Sequence, residues 1–204
     1  MDYIVHIVDD DASVRRSLAW LLESVGLQCG QYDSGAAFLD QAPAPGPGCI
    51  LLDVRMPHMG GFEVQRILNE RGNVLPIIFL TAHGDIPMTV RALKGGAFDF
   101  LEKPYNDQVL IDKVNGALAF SARAYRDHEQ EQRDQGLLAQ LSAREWDVFN
   151  RLLEGKVNKV IARELDISLK TVEAHRAHIR EKLGVSSIVD MLRIAGRRPA
   201  LKAG

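Results

Sequence analysis

The stretch Cys49-Ile50-Leu51-Leu52-Asp53-Val54-Arg55-Met56-Pro57 decides how this chain of 204 residues is read. A short unbroken apolar run, with a Gly/Pro-rich loop before it and Pro57 after it, predicts a strand buried on both faces. Asp53 then stands at the carboxyl end of a central parallel strand, where open α/β sheets bind their ligands. An Asp at a strand end also serves as a turn former or helix cap. The choice depends on which other polar groups converge on it.

Outward from that strand, short apolar runs alternate with amphipathic ones, the pattern of βαβ units and a parallel sheet. Further strands are predicted at residues 4–8, 27–32, 76–81 and 98–102, and helices at 13–24, 34–41, 61–71 and 86–94, with one more from about 106. Five strands and five helices in roughly 120 residues make a complete doubly wound, flavodoxin-like α/β domain. The Ala42-Pro43-Ala44-Pro45-Gly46-Pro47-Gly48 segment reads as a loop. The last helix extends past Phe120 into 125–136, where few residues are apolar, so that stretch is a solvated helical linker or a coil.

From residue 141 the strand signal ends and four helical runs follow, so an all-α domain succeeds the α/β one. Ser142 with Glu145 three positions on matches a capping box, and Trp146, Phe149, Leu152 and Leu153 form the apolar face behind it. Helices at 158–165 and 169–183, separated by Asp166-Ile167-Ser168, have helix-turn-helix spacing. A fourth helix is expected at 187–197. The predicted domains are 1–124 and 137–204, joined by 125–136.

The net charge is −2, unevenly spread: residues 1–124 carry 15 acidic and 10 basic side chains, whereas 137–204 carry 8 and 13. An acidic domain is thus joined to a basic one of a sign suited to nucleic acid. Cys29 and Cys49 have no CxxC spacing and predict free thiols in a reducing compartment. Residues 1–8 lack a basic n-region, and no run approaches the ~18 apolar residues of a membrane span. A cytoplasmic protein without a membrane partner is expected.

Side by side, the strand ends present Asp9, Asp10, Asp53, Thr81 and Lys103. Crowded carboxylates repel one another, and a hard divalent cation relieves that repulsion. Mg²⁺ takes one or two carboxylates, keeps waters and completes its shell with phosphate oxygens. A hydroxyl and an ammonium beside it would hold a phosphoryl group. The set reads as a metal-assisted phosphoryl acceptor with a carboxylate nucleophile.

Val8-Asp9-Asp10-Asp11, Leu52-Asp53-Val54-Arg55-Met56-Pro57, Leu80-Thr81-Ala82-His83-Gly84-Asp85 and Glu102-Lys103-Pro104 resemble the four signatures of two-component receiver domains, in order and at family spacing. The wording from Thr81 to Met88 is similar to the FixJ-type subgroup. The resemblance implies that Asp53 accepts a phosphoryl group from a cognate sensor histidine kinase or a small phosphodonor. Asp10, Asp53 and the Arg55 backbone carbonyl would bind Mg²⁺, for which Mn²⁺ can substitute, with Asp9 acting mainly through water. Lys103 would pair with the phosphoryl oxygens, Thr81 would move to bond one, and Phe100 would be the aromatic that follows it. The Lys103–Pro104 bond is expected to be cis. His58 and His83 are expected as loop residues without a metal role.

Leu141-Ser142-Ala143-Arg144-Glu145, Gly155, Asn158-Lys159-Val160-Ile161-Ala162, Leu165-Asp166-Ile167-Ser168 and Thr171-Val172-Glu173-Ala174-His175 resemble the LuxR/NarL-type DNA-binding domain. In the 169–183 helix, Val172, His175, Ile179 and Leu183 form a stripe able to pack on Ile161, Leu165 and Ile167. The other face shows Lys170, Glu173, Ala174, Arg176, Ala177 and Arg180, which suits a major groove: cations for phosphate or guanine, small residues for close approach, and Glu173 for cytosine N4. The resemblance adds Asn158, Lys159 and Thr171 to the contacts with a double-stranded DNA operator. In the last helix, Ile188, Met191 and Leu192 are by resemblance the dimer contact on DNA, pairing two half-sites about one helical turn apart; a homodimer is expected when the chain is phosphorylated, and RNA polymerase is a partner the resemblance admits. His175 and His178, spaced i and i+3, have no Cys or further His nearby to complete a metal site, and His175, at a family position, is expected to cap or pack.

An aspartyl-phosphate phosphatase is the competing enzyme reading. Such enzymes resemble Asp-x-Asp at the nucleophile, the second Asp serving as acid/base. Here Arg55 occupies that place, which argues against turnover of an external phosphoester.

Overall fold

The computed structural model describes residues 3–41, 46–82 and 84–196. Residues 42–45 of the expected loop, His83 and Arg197 lie outside them. Two compact units divide the chain at Arg126 and Asp127.

In the first unit the elements alternate as β1 (Ile4–Val8), α1 (Ala12–Ser24), β2 (Gln28–Tyr32), α2 (Gly35–Gln41), β3 (Gly48–Asp53), α3 (Gly61–Glu70), β4 (Ile77–Thr81), α4 (Ile86–Lys94), β5 (Asp99–Glu102) and α5 (Asp107–Leu138). The strands form one parallel sheet in the order β2-β1-β3-β4-β5. All six residues of β3 and all five of β4 are buried, as strands with helices on both sides must be.

Alternation along the strands sorts their side chains between two cores. Val5, Ile7, Cys49, Leu51, Ile78 and Leu80 join Leu18 and Leu22 of α1 and Leu110 and Val114 of α5. Val8, Ile50, Leu52, Ile77 and Phe79 join Phe38, Val64, Leu68 and Ala92 from α2, α3 and α4. At about 25 cal/mol per Å² of apolar area removed from water, these two layers are the main favourable contribution to this fold.

Residues 125–136, left between helix and coil by the sequence, are helical within α5. Val25 is the exposed C-cap of α1. The Lys103–Pro104 bond is cis.

The second unit contains α6 (Ala143–Leu153), α7 (Asn158–Leu165), α8 (Leu169–Leu183) and α9 (Ile188–Gly196). Ser142 and Glu145 form the complete capping box at the start of α6. Val148, Phe149, Ile161, Val172, Ile179, Leu183, Met191 and Ile194 are the buried centre. The α7–α8 turn is made by Asp166 in the left-handed region, φ 53°, and by Ser168, whose hydroxyl accepts from the Thr171 N–H at 3.0 Å. Among the described residues, no helix is long and apolar enough to cross a membrane.

Candidate functional site

Parallel pairing aligns the strands with their carboxyl ends on one rim. Val8 is opposite Leu52, Asp53 opposite Leu80, and Thr81 opposite Glu102. Asp9, Asp53, Thr81 and Lys103 therefore leave adjacent strands at the same level.

Lys103 Nζ donates to Asp9 Oδ2 at 2.7 Å and to Asp53 Oδ1 at 2.8 Å. The second Asp53 oxygen accepts the Arg55 backbone N–H at 2.7 Å, and Asp9 Oδ1 accepts that of Asp11 at 2.9 Å. Asp53 is 7% exposed, Asp9 3% and Thr81 1%. The Lys103 backbone N–H donates to the Thr81 carbonyl at 2.7 Å, which ties the ammonium-bearing loop to β4.

Burial raises the pKa of Asp53, and the hydrogen bond and charge of Lys103 only partly oppose it. Burial would lower the pKa of Lys103, but its bonds to Asp53 and Asp9 outweigh this and raise it. One ammonium is shared by two carboxylates, so the lysine has more than one counter-charge and each aspartate less than one. The site is short of positive charge.

That deficit is the test of whether the expected metal fits. Among the described residues, no three His, Cys, Asp or Glu side chains are grouped to hold an ion by themselves. A hard ion that takes few carboxylates and completes its shell with a backbone carbonyl and water matches the donors present. Asp10 is exposed and takes no part in the Lys103 network; the carboxylate that does is Asp9. Phe100 is half-buried and packs on the α2–α4 side of the sheet. A Cβ at Gly84 would stand 3.1 Å from its Cε1, and the Gly84 N–H donates to Glu102 Oε1 at 3.0 Å, so the β4–α4 loop rests on β5.

Two contacts here carried no sequence signal. Arg15 Nη1 donates to the Asp9 backbone carbonyl at 2.7 Å, fixing the end of β1 from α1. A cavity of about 660 Å³ between α1 and the loop after β5 is lined by Val14, Ser17, Leu21, Lys103 and Tyr105, with Trp20, 76% exposed, at its wall.

In the second unit, Lys170, Glu173, Ala174, Ala177 and Arg180 are exposed on α8, while Val172, Ile179 and Leu183 are buried. Lys159 is exposed, whereas Asn158, Thr171 and Arg176 are partly covered. Arg176 donates to the side-chain oxygen of Asn158 at the start of α7. Asn158, Glu173, Arg176, Ala177 and Arg180 surround a cavity of about 320 Å³. His175 is partly covered. On α9, Met191 does not face outward: it is 2% exposed and belongs to the core, because an i, i+3 pair with Ile194 turns it inward. The exposed apolar residues of that helix are Ile188, Val189 and Leu192.

Two family models match the chain: the response regulator receiver domain over residues 5–115, and the bacterial regulatory proteins of the luxR family over residues 139–195. The transcriptional regulatory protein TdiR of Thauera aromatica is 47% identical over 95% of this chain and 85% of its own. The transcriptional regulatory protein FixJ of Azorhizobium caulinodans is 44% identical over 94% and 90%. Among solved structures, the response regulator StyR superposes with a TM-score of 0.89 at 39% identity, covering 97% of this chain and all of that one.

Proposed function

This chain belongs to the response regulators that join a receiver domain to a LuxR-type DNA-binding domain, and from that premise we propose that phosphorylation of Asp53 controls its pairing and its binding to an operator. It is a transcription regulator. The receiver is assigned to 1–124 and the DNA-binding domain to 137–204, with 125–136 as the linker.

The observation that carries the reading is Lys103 bridging Asp9 and Asp53 at the rim of a parallel sheet. An Asp53 oxygen attacks the phosphorus of a kinase phosphohistidine or of a small phosphodonor. The new P–O bond forms as the bond to the leaving group breaks, and the leaving group departs with its electron pair. Lys103 is placed to pair with the phosphoryl oxygens. The Thr81 hydroxyl closes on one of them, and Phe100 turns with it. Asp10, Asp53 and the Arg55 carbonyl would hold Mg²⁺ or Mn²⁺, with Asp9 acting through water, and such an ion would supply positive charge beside the phosphoryl oxygens. The cavity beside Trp20 opens next to Lys103, which supports it as the docking place of the sensor kinase.

The output side reads double-stranded DNA through α8, with Lys170, Thr171 and Arg180 at phosphate and base edges and Lys159 of α7 at phosphate. Ile188 and Leu192 pair two copies on a two-fold operator, where RNA polymerase is engaged. Cys29 and Cys49 are free thiols, in keeping with a cytoplasmic location.

The direct test is intact-mass labelling by acetyl phosphate with Mg²⁺. The parent chain should gain one phosphoryl group and Asp53→Asn none. A variant that still labels overturns the assignment of the nucleophile.

A further inference from the structure

Arg176 and Glu173 are three residues apart on α8, close enough on a helix surface to pair with each other. No ion pair joins them among the described residues. Arg176 is bonded instead to Asn158, a residue of a different helix. Asn158 is uncharged and stands at the first residue of α7, beside the cavity that Glu173, Arg176, Ala177 and Arg180 line.

The atoms used matter. The bond to Asn158 engages Nη1 of the guanidinium, and Nε and Nη2 make no hydrogen bond within the described residues. Those two nitrogens form one straight edge of the fork, two parallel N–H donors of the kind that match guanine O6 and N7. Glu173, relieved of Arg176, keeps its carboxylate available to accept from cytosine N4. A long side chain held at its tip also loses less freedom on meeting a base than one that swings in water.

We propose that Asn158 is a positioning residue for sequence readout: its side-chain oxygen holds Arg176 off Glu173 and aims the Nε–Nη2 edge at a guanine. This rests on the reading of α8 as the groove-facing helix and deepens it. It also changes the role expected of Asn158 from a DNA contact to a support for one.

The experiment uses the full chain with acetyl phosphate and Mg²⁺, a duplex it selects from a random library, and a scrambled duplex of the same composition. Asn158→Ala should lower the affinity ratio of selected to scrambled duplex about tenfold. The loss should fall on the one base pair whose preference Arg176→Ala also removes. Affinity for the scrambled duplex and its salt dependence should stay within about twofold, since no phosphate contact is lost. Asn158→Asp keeps the acceptor oxygen and should retain the preference at that base pair while weakening both duplexes through its added charge. Adding Asn158→Ala to Arg176→Ala should cost no further discrimination. In the DNA-free chain, the Arg176 Nε–H resonance should lose its ordering in Asn158→Ala.

If Asn158→Ala weakens both duplexes alike and flattens the salt dependence, Asn158 touches phosphate and the proposal is wrong. If the ratio is unchanged while Arg176→Ala reduces it, the proposal fails and the groove-facing reading stands. If Arg176→Ala leaves the ratio untouched, that reading fails with it.

Discussion

Lys103 Nζ lies 2.8 Å from Asp53 Oδ1, yet the Asp53 pKa is raised rather than lowered. Burial outweighs a lysine that Asp9 shares. A carboxyl group whose folded pKa exceeds its unfolded one contributes stability below the unfolded value of 3.8 and loses it as pH rises through the folded value. At neutral pH the ionised Asp53 therefore destabilises the receiver.

Asp53→Asn should accordingly melt at a higher temperature than the parent at pH 7 without metal, and the gain should vanish as pH falls below 3.8. Mg²⁺ should raise the melting temperature of the parent and do little for the variant. Equal melting curves at pH 7 would show that Lys103 fully compensates the charge.

Gly61 begins α3 directly behind the acceptor strand, and a Cβ there would lie 2.3 Å from the Asp53 backbone oxygen and 3.0 Å from Phe79 Cε1. Neither neighbour is a flexible tip. Gly61→Ala should cost about 2–3 kcal/mol in chemical denaturation and slow acetyl phosphate labelling by displacing Asp53. Unaltered stability would mean that β3 yields more readily than a buried central strand should.

His6 is buried on β1, with its Nδ1 3.1 Å from the Tyr32 hydroxyl and Phe38 against its ring. Burial lowers its pKa from 6.5 to about 4. Its neutral form contributes stability that is complete above pH 6.5 and is lost as pH falls through 4. His6→Gln should remove that acid-sensitive step, on the order of 2–3 kcal/mol, from the receiver's stability between those two pH values. A parent and variant that decline in parallel would contradict it.

Glu145 closes the capping box of α6, and its Oε2 also accepts from Lys182 Nζ of α8 at 2.7 Å. The Lys182 hydrogen bond chiefly holds its pKa down, to about 2 from 4.5. The stability this brings is present above pH 4.5 and disappears as pH falls towards 2. Glu145→Gln should cost about 1–2 kcal/mol at pH 7, with the difference closing under acid.

The architecture was largely legible because its signals are local. Four apolar residues before Asp53, the Gly and Pro stops, and the Ser142–Glu145 spacing each specify structure within a few positions. Asp53, Asp9 and Lys103 could be named because strand ends in a parallel sheet share one rim. The unreadable contacts depend on distance in sequence or on direction: Lys182 lies 37 residues from Glu145 and Arg176 lies 18 from Asn158. Met191 illustrates direction, since an apolar stripe on a nine-residue helix does not say which of its members turns inward.

β5 has four residues, none fully buried, and pairs on one side only. It carries Phe100 and leads into Lys103, so the groups next to the acceptor belong to the boundary strand of the sheet rather than its middle. Displacing a border strand disturbs one ladder instead of two. Chemistry at the rim can thus be transmitted sideways to the molecular surface while β1, β3 and the layers beneath them stay as they are.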